Sequence, residues 1–147
     1  MEKSVTQSSN IPNEYEPKII GFICKWCTSA GADLAGTSRM TYPPNMIPIT
    51  VFCSSRIDPQ YILWAFKNGA DGVFIGGCHP NDCHYQDGNY KTMKRIPILR
   101  NLLKELAIEP SRLRLEWISA SEADKFKKTI TEFTEMIKKL GPLNLSL

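Results

Sequence analysis

Residues 18–27 read KIIGFICKWC and contain the pattern that decides the fold of this chain. The first seven residues are almost continuously apolar, which is typical of a central strand of a parallel sheet, buried on both faces. This run ends in a Cys-x-x-Cys turn formed by Cys24 and Cys27, and a segment rich in alanine and glycine follows up to residue 40. We therefore predict a strand, a two-cysteine turn and a helix.

The same order of elements recurs three more times along the chain. Further strands are predicted at residues 47–52, 73–77 and 113–117, and further helices at 59–67, at 92–107 and from a capping box at 119–122 to Leu140. Strands that alternate with helices and are joined by right-handed crossovers form an α/β fold. The prediction is a small open four-stranded parallel sheet of order 2-1-3-4, with helices on both faces.

Local signals set the ends of these elements. Asp58-Pro59 is typical of a helix start and Asn68-Gly69 of a helix end. Pro97 lies inside the third helical pattern, so we expect either a kink there or a helix that begins at this residue. The last strand alternates between apolar and charged residues, which predicts a wetter face made of Arg112, Arg114 and Glu116.

Length, composition and charge limit the class of protein. The chain has 147 residues, of which 42% are hydrophobic, and this predicts a single domain at 18–147 behind a flexible polar arm at 1–17. We find no signal peptide and no apolar run near 18 residues, so we expect a cytoplasmic protein with no membrane contact. The net charge is only +3 and is interspersed along the chain, which argues against nucleic acid as a partner.

Every cysteine lies at or near the end of a predicted strand. Cys53 closes the second apolar run, Cys78 closes the third, and Cys83 follows five residues later. The carboxyl ends of parallel strands meet at one edge of an open α/β sheet, which is where such folds place their sites. We therefore expect the five thiols, including the Cys24 and Cys27 pair, to converge at the carboxyl edge.

Three kinds of chemistry fit such a group of thiols. Four thiolates hold a [2Fe-2S] cluster or a tetrahedral zinc ion, whereas a lone Cys-x-x-Cys also fits a dithiol oxidoreductase. The second pair of cysteines favours the cluster over zinc and the dithiol. Trp26 and Tyr85 are candidates for shielding the centre from water. No acid, base or nucleophile constellation is found, so no catalytic residue is assigned.

The loop that carries Cys78 and Cys83 also contains both histidines of the chain. A ligand role for His79 or His84 is possible, but a hydrogen bond to sulfur or a role in loop packing is favoured. The helix that follows the loop begins with a basic and aromatic group, which is either a solvated helix start or a docking face for an acidic partner. Its residues are Tyr90, Lys91, Lys94 and Arg95.

Dense motifs across residues 16–142 resemble the delta subunit family of methyl-viologen-reducing hydrogenase. They are GFICKWC at 21–27, ADLAG at 32–36, RMTYPP at 39–44, GADG at 69–72, GCHP at 77–80, DCHY at 82–85, GNYK at 88–91 and WISA at 117–120.

The resemblance implies a non-catalytic electron-transfer subunit with a [2Fe-2S] cluster. In that family the subunit passes electrons from a hydrogenase, or a formate dehydrogenase, to the flavin-containing subunit of heterodisulfide reductase in methanogenic energy metabolism. The family's cysteines match all five thiols of this chain, one more than a cluster needs. The expected ligands are Cys24, Cys27, Cys78 and Cys83, with Cys53 as the spare.

Overall fold

The computed structural model describes residues 14–145 and has four strands that alternate with four helices. The strands are β1 Ile19–Cys24, β2 Met46–Val51, β3 Gly72–Gly77 and β4 Leu113–Trp117. The helices are α1 Thr28–Thr37, α2 Pro59–Lys67, α3 Gly88–Glu105 and α4 Ala123–Leu140. No helix among these residues is long and apolar enough to cross a membrane.

The four strands form one parallel sheet in the order β2-β1-β3-β4, which confirms the predicted topology. In the register, Phe22 of β1 lies between Ile49 of β2 and Ile75 of β3. All residues of β3 and all but one of β1 are buried, whereas β2 lies at an edge and is largely exposed. The two central strands are thus the nearly continuous apolar runs of the sequence.

Each face of the sheet is covered by two helices. One core cluster contains Ile62 and Phe66 of α2 together with Ile96, Leu99 and Leu103 of α3. The other contains Ala35 of α1 and an apolar stripe of α4. The sequence predicts this stripe from residues spaced three and four apart, of which Leu140 is 39% exposed and the rest are buried, namely Ala123, Phe126, Ile130, Phe133 and Ile137. Burying one such side chain stabilises the fold by about 1.5–3 kcal/mol, so these stripes fix the helices on the sheet.

The start of α3 differs from the prediction, whereas that of α2 agrees with it. The helix α3 begins at Gly88 rather than near Thr92 and continues through Pro97, so the alternative that it begins at Pro97 is wrong. Gly88, Asn89 and Thr92 are buried, and this tertiary packing outweighs the roughly 3 kcal/mol that an interior proline costs. The predicted helix 2 is confirmed: the carboxylate of Asp58 accepts from Gln60 N–H at 2.8 Å, and Asn68 ends the helix.

The capping box at residues 119–122 is only half formed. The carboxylate of Glu122 accepts a hydrogen bond from the Ser119 N–H at 2.9 Å, as a capping box requires. However, the Ser119 hydroxyl pairs with that of Ser121, and α4 begins at Ala123. The end of α4 at Gly141 is confirmed, with a φ of 77° that favours glycine.

A buried polar network closes the amino edge of the sheet. Arg112, predicted on the wetter face of β4, is instead buried and donates to the carbonyl oxygens of Asp71 and Gly141, each at 2.9 Å. The carboxylate of Asp71 accepts from the N–H groups of Lys18 and Leu143, also at 2.9 Å. The network therefore ties the two ends of the described chain to β3 and β4.

The described part of the predicted arm also contacts the domain at this edge. The carboxylate of Glu16 accepts from the Asn45 side chain at 2.8 Å and from Lys138 at 3.1 Å. Pro17 is buried. Residues 1–13, to which most of the flexible-arm prediction refers, lie outside the described residues, as do residues 146 and 147.

Candidate metal centre

Three cysteine thiols meet where the two central strands end. Cys24 is the last residue of β1, Cys78 follows β3, and Cys27 precedes α1. Because β1 and β3 are neighbours in the sheet, their carboxyl ends place the three sulfur atoms within 4.8 Å of one another. All three residues are buried. We call Cys24, Cys27 and Cys78 the sulfur trio.

The spacing within the trio suits a shared metal. The Sγ atoms of Cys24 and Cys78 lie 3.7 Å apart. Two thiolates on one tetrahedral metal, each about 2.3 Å from it, lie about 3.8 Å apart. The sulfur atoms of Cys24 and Cys78 are therefore already at the separation expected of two ligands of one metal ion.

The other two cysteines form a second group, the sulfur pair. Cys53 lies just beyond β2 and Cys83 lies in the loop between β3 and α3, and their Sγ atoms are 3.8 Å apart. Gly88, at the start of α3, lies against both sulfurs. A Cβ there would collide with the Cys53 sulfur and lie 3.2 Å from that of Cys83. Because position 88 has no side chain, the sulfur atoms of Cys53 and Cys83 can occupy the space beside it.

The five thiols are brought to one edge as predicted, but in groups of three and two. Of the four expected ligands, three form the trio, and Cys83 lies beside the expected spare, Cys53. Cys83 is half-buried and the other four are buried. An all-thiolate set of this kind suits iron–sulfur clusters and zinc, and does not suit hard cations such as Mg²⁺ or Ca²⁺.

The thiols of the trio perturb one another's acidity. Stabilisation of the Cys24 thiolate by the Cys27 thiol, and then by the Cys78 thiol, lowers the pKa of Cys24 to about 3. The Cys27 thiol is held protonated by the same interaction, and its pKa rises to about 11. The pKa of Cys78 is also raised, first by its hydrogen bond to Cys24. One thiolate forms readily and further ones need a cation, because like charges in a buried site oppose one another.

Burial argues against the dithiol alternative. Cys24 is 2% exposed and Cys27 is 6% exposed. A thiol that attacks an external disulfide must be reached by it, and reactive cysteines are partly exposed for this reason. The depressed pKa of Cys24 therefore fits a buried ligand better than it fits a nucleophile.

Neither histidine of the chain contacts the sulfur atoms through its ring in the described structure. His79 pairs with Glu122, whose pKa is lowered to about 2, mainly by the Ser119 N–H and then by His79. The ring of His84 stacks on Trp26. His84 thus has the packing role that the sequence favoured, whereas His79 pairs with a carboxylate instead of donating to sulfur. Trp26 and Tyr85 lie at this rim, hydrogen-bonded to each other.

The first turns of α3 hold the cysteine segments in place. The side-chain amide of buried Asn89 donates to the carbonyl oxygens of Cys78 and His79, at 2.9 and 2.7 Å. Arg95 donates to the carbonyl oxygens of Ser55 and Ile57, so its charge is used inside the fold rather than on a docking face. Sequence reasoning missed the roles of Gly88 and Asn89, whose one signal was their place in the GNYK motif.

A cleft opens beside the sulfur pair. It has a volume of about 620 Å³ and is lined in part by Phe52, Cys53, Arg56, Tyr85 and Lys91. Phe52 is strongly exposed and Tyr85 is half-exposed. The trio is thus enclosed, whereas the pair lies next to a solvent-filled opening with aromatic and cationic walls.

Comparison with known proteins gives consistent results. Residues 19–141 match the family described as methyl-viologen-reducing hydrogenase, delta subunit. The chain is 56% identical over 131 residues to the vhc iron-sulfur subunit of the F420-non-reducing hydrogenase of Methanococcus voltae, covering 89% of this chain and 91% of the relative. It is 54% identical over 129 residues to the corresponding iron-sulfur subunit of Archaeoglobus profundus, covering 88% and 94%.

A third relative is a much longer protein. The chain is 45% identical over 131 residues to one subunit of the ferredoxin:CoB-CoM heterodisulfide reductase of Methanosarcina mazei. The match covers 89% of this chain but only 16% of that longer protein.

Proposed function

Since the chain belongs to the methyl-viologen-reducing hydrogenase delta subunit family, we propose that it is a non-catalytic electron-transfer subunit whose cysteines hold an iron–sulfur cluster. The observation that carries the proposal is that five thiols from three separate segments lie at one edge of the sheet, with two Sγ–Sγ distances of 3.7 and 3.8 Å. These are separations typical of shared metal ligands.

The proposed cofactor is a [2Fe-2S] cluster, which takes four cysteine ligands. The proposed ligands are Cys24, Cys27, Cys78 and Cys83, with Cys53 in reserve. Support comes from the closeness of the first three sulfurs and from the space that Gly88 leaves beside Cys83. When bound, such a cluster supplies one-electron redox chemistry.

Different parts of the site would shield the cluster, fix its ligands and give a partner access to it. The buried trio excludes water from one side of the centre, and Asn89 fixes the backbone of Cys78. The cleft beside Cys53 gives a partner protein its closest access to the sulfurs. The site thus combines a shielded side, which protects a cluster, with an open side through which electrons can pass.

The proposed partners follow from the relatives. The iron-sulfur subunits of Methanococcus voltae and Archaeoglobus profundus are named as parts of hydrogenases. In Methanosarcina mazei a related segment is part of a longer chain that is itself named as a heterodisulfide reductase component. We infer that this chain accepts electrons from a hydrogenase or a formate dehydrogenase. It passes them to a flavin-containing heterodisulfide reductase subunit, in the cytoplasm, in methanogenic energy metabolism.

Iron analysis and single cysteine replacements test the proposal. Anaerobically purified protein should be coloured and contain two irons per chain, as a [2Fe-2S] cluster requires. Serine at Cys24, Cys27, Cys78 or Cys83 should lower the iron content and change the visible spectrum, whereas Cys53→Ser should keep both. Ser55→Ala, two residues from Cys53 and only half-buried, is the matched control. Colourless protein or bound zinc would contradict the cluster. Loss of iron in Cys53→Ser, with retention in Cys83→Ser, would contradict the ligand set.

One observation favours a second candidate, a thiol–disulfide oxidoreductase that uses Cys24 and Cys27. The pKa of Cys24, lowered to about 3, favours the thiolate form that an attacking thiol needs, although the burial of Cys24 and Cys27 counts against attack on an external disulfide. Colourless protein with a dithiol that titrates against a disulfide reagent would support this candidate. Two irons per chain would refute it.

A further inference from the structure

Three aromatic side chains join two cysteine-bearing segments across the rim of the site. Trp26 lies within the Cys-x-x-Cys turn, whereas His84 and Tyr85 directly follow Cys83. The His84 ring stacks on Trp26 with centroids 3.9 Å apart and ring planes at 12°. The Trp26 Nε1–H donates to the Tyr85 hydroxyl at 3.2 Å. We call Trp26, His84 and Tyr85 the aromatic clasp.

The clasp is attached to a third cysteine segment through Lys25. The Lys25 ammonium lies 5.4 Å from the centroid of the Trp26 ring and 5.3 Å from that of Phe52, which precedes Cys53. A cation at such a distance from a ring is attracted to its face. The clasp therefore links the segments that carry the trio and both members of the sulfur pair.

The Cys83 loop needs contacts of this kind. Residues 78–87 contain neither strand nor helix. Asn81 and Gln86 both have a φ of 70°, a backbone region that side-chain-bearing residues seldom adopt. Trp26 and Tyr85 are 44% and 46% exposed, so they pack on the opposite loop rather than in the core. The hydrogen bond and the stack are thus direct contacts between this loop and the turn that bears Cys24 and Cys27.

We propose that the aromatic clasp holds the Cys83 loop closed over the sulfur trio and so controls how fast a bound cluster is exposed to solvent and lost. The inference rests on the proposed function, because it concerns retention of the proposed cluster. Trp26, His84 and Tyr85 act as positioning residues, since the contacts of their rings are with one another. Opening of the loop moves Cys83 away from the trio and admits water to the centre.

Loss of the cluster to a chelator measures the opening directly. Under anaerobic conditions, excess ferrous chelator is added and the visible absorbance of the cluster is followed. Trp26→Phe and Tyr85→Phe each remove one partner of the hydrogen bond, and each should accelerate loss about fivefold. The double variant should be no faster than either single one, because the same bond is removed in all three. Trp26→Ala also removes the stack and should accelerate loss roughly thirtyfold.

A redox titration supplies a second readout. Trp26→Ala admits water to the centre and should raise its reduction potential, because the reduced cluster carries more negative charge and water solvates it. The control is Trp64→Ala, which removes an exposed tryptophan of α2 that belongs to a different surface. Its rate of loss and its potential should equal those of the wild type. Equal rates in Trp26→Ala and the wild type, or equal acceleration in Trp64→Ala, would overturn the proposal.

The thiols test the clasp separately from the cluster. If the wild type holds no iron, the proposed function fails, and the clasp is then tested by alkylating metal-free protein with iodoacetamide. Mass spectrometry should show faster modification of Cys83 in Trp26→Ala than in the wild type or in Trp64→Ala. Equal modification rates at Cys83 in all three proteins would overturn the clasp itself.

Discussion

The two edges of the sheet differ in what their buried polar side chains and thiols contact. At the amino edge, the buried side chains of Asp71 and Arg112 find their hydrogen-bond partners among backbone groups of the same chain. At the carboxyl edge, the cysteine sulfurs lie mainly against one another, at 3.7 Å for one pair and 3.8 Å for another. Asp71 and Arg112 are thus paired with polar backbone groups, whereas the carboxyl edge gathers thiols, which are soft metal ligands.

This contrast separates stability from function within one small fold. Polar groups that are fully paired inside a protein hold the structure together, and removing one partner leaves the others unsatisfied. Thiols are weak hydrogen-bond partners for one another, and the pKa of Cys24 falls while that of Cys27 rises because the two share one hydrogen bond. Variants at the amino edge should therefore lower the free energy of unfolding, and variants at the carboxyl edge should lower the content of the proposed cluster.

The largest effect on folding is expected from Arg112→Met. The variant keeps most of the apolar length but leaves the carbonyl oxygens of Asp71 and Gly141 without donors. Each buried acceptor left unpaired costs about 1–3 kcal/mol, so urea unfolding should show a loss of about 4 kcal/mol in the free energy of unfolding. The visible spectrum of the folded protein should not change.

The control for this prediction is Arg100→Met. Arg100 is half-buried and donates to a single carbonyl oxygen, that of Leu113, at 3.1 Å. Its loss should cost about 1 kcal/mol. An Arg112→Met protein that is no less stable than Arg100→Met, or that loses its cluster while still folded, would remove the distinction between the two edges.

A change at the carboxyl edge should lower metal binding while the protein stays folded. In Gly88→Ala the new methyl group collides with the Cys53 sulfur and crowds that of Cys83. Overpacking of this kind costs about 1–3 kcal/mol, and the sulfur pair can relieve it by moving apart. We expect the iron content and the visible absorbance to fall markedly while the far-ultraviolet circular dichroism is retained.

Gly36→Ala is the matched control within α1. A Cβ at Gly36 has no neighbour within 4 Å, so the substitution should stabilise the helix by about 0.5–1 kcal/mol and leave the iron content unchanged. If Gly88→Ala retained full iron content, the proposal that Cys83 needs the space beside Gly88 to bind the metal would be contradicted.

A smaller loss of stability is expected from Asp71→Asn. The carboxylate accepts from the N–H groups of Lys18 and Leu143, and an asparagine side chain offers only one acceptor oxygen for the two donors. One hydrogen bond to a charged acceptor is lost, which corresponds to about 1.5–3 kcal/mol in urea unfolding. A variant as stable as the wild type would show that Asp71 does not tie the chain ends to the sheet.

The features that the sequence predicted are those encoded in local patterns. The nearly continuous apolar runs of β1 and β3, the cap at Asp58 and the stripe of α4 each depend on neighbouring residues, and right-handed crossovers then place helices on both faces of the sheet. The cysteines share one edge because parallel strands all end there. These predictions needed no knowledge of side-chain positions.

The features that escaped prediction depend on contacts between distant segments. The closeness of Cys53 and Cys83 depends on the space that Gly88 leaves at the start of α3, where polar residues gave no helical periodicity. Arg112 was placed on a wet face because it alternates with Leu113, yet carbonyl groups at the end of α4 enclose it. Such partners lie roughly thirty or more residues away, beyond the reach of a local pattern.

The smallest effect should appear in Glu122→Gln, and it depends on pH. The pKa of Glu122 is lowered to about 2, first by the Ser119 N–H and then by His79. Because the pKa in the folded protein lies below the unfolded value of about 4.3, the charged carboxylate stabilises the fold above that pH. This contribution is lost as the pH falls through 4 towards 2. The carboxylate is a third exposed, so solvent screening keeps the effect small.

Urea unfolding of the wild type and Glu122→Gln between pH 7 and pH 2 tests the contribution of this charge. Metal-free protein is used because acid protonates thiolate ligands and would release a metal. Glutamine keeps an acceptor for the Ser119 N–H, so the comparison isolates the charge. The wild type should be more stable at pH 7, and the two curves should converge near pH 2. A difference that persists unchanged to pH 2 would show that the charge of Glu122 does not stabilise the turn beside Cys78.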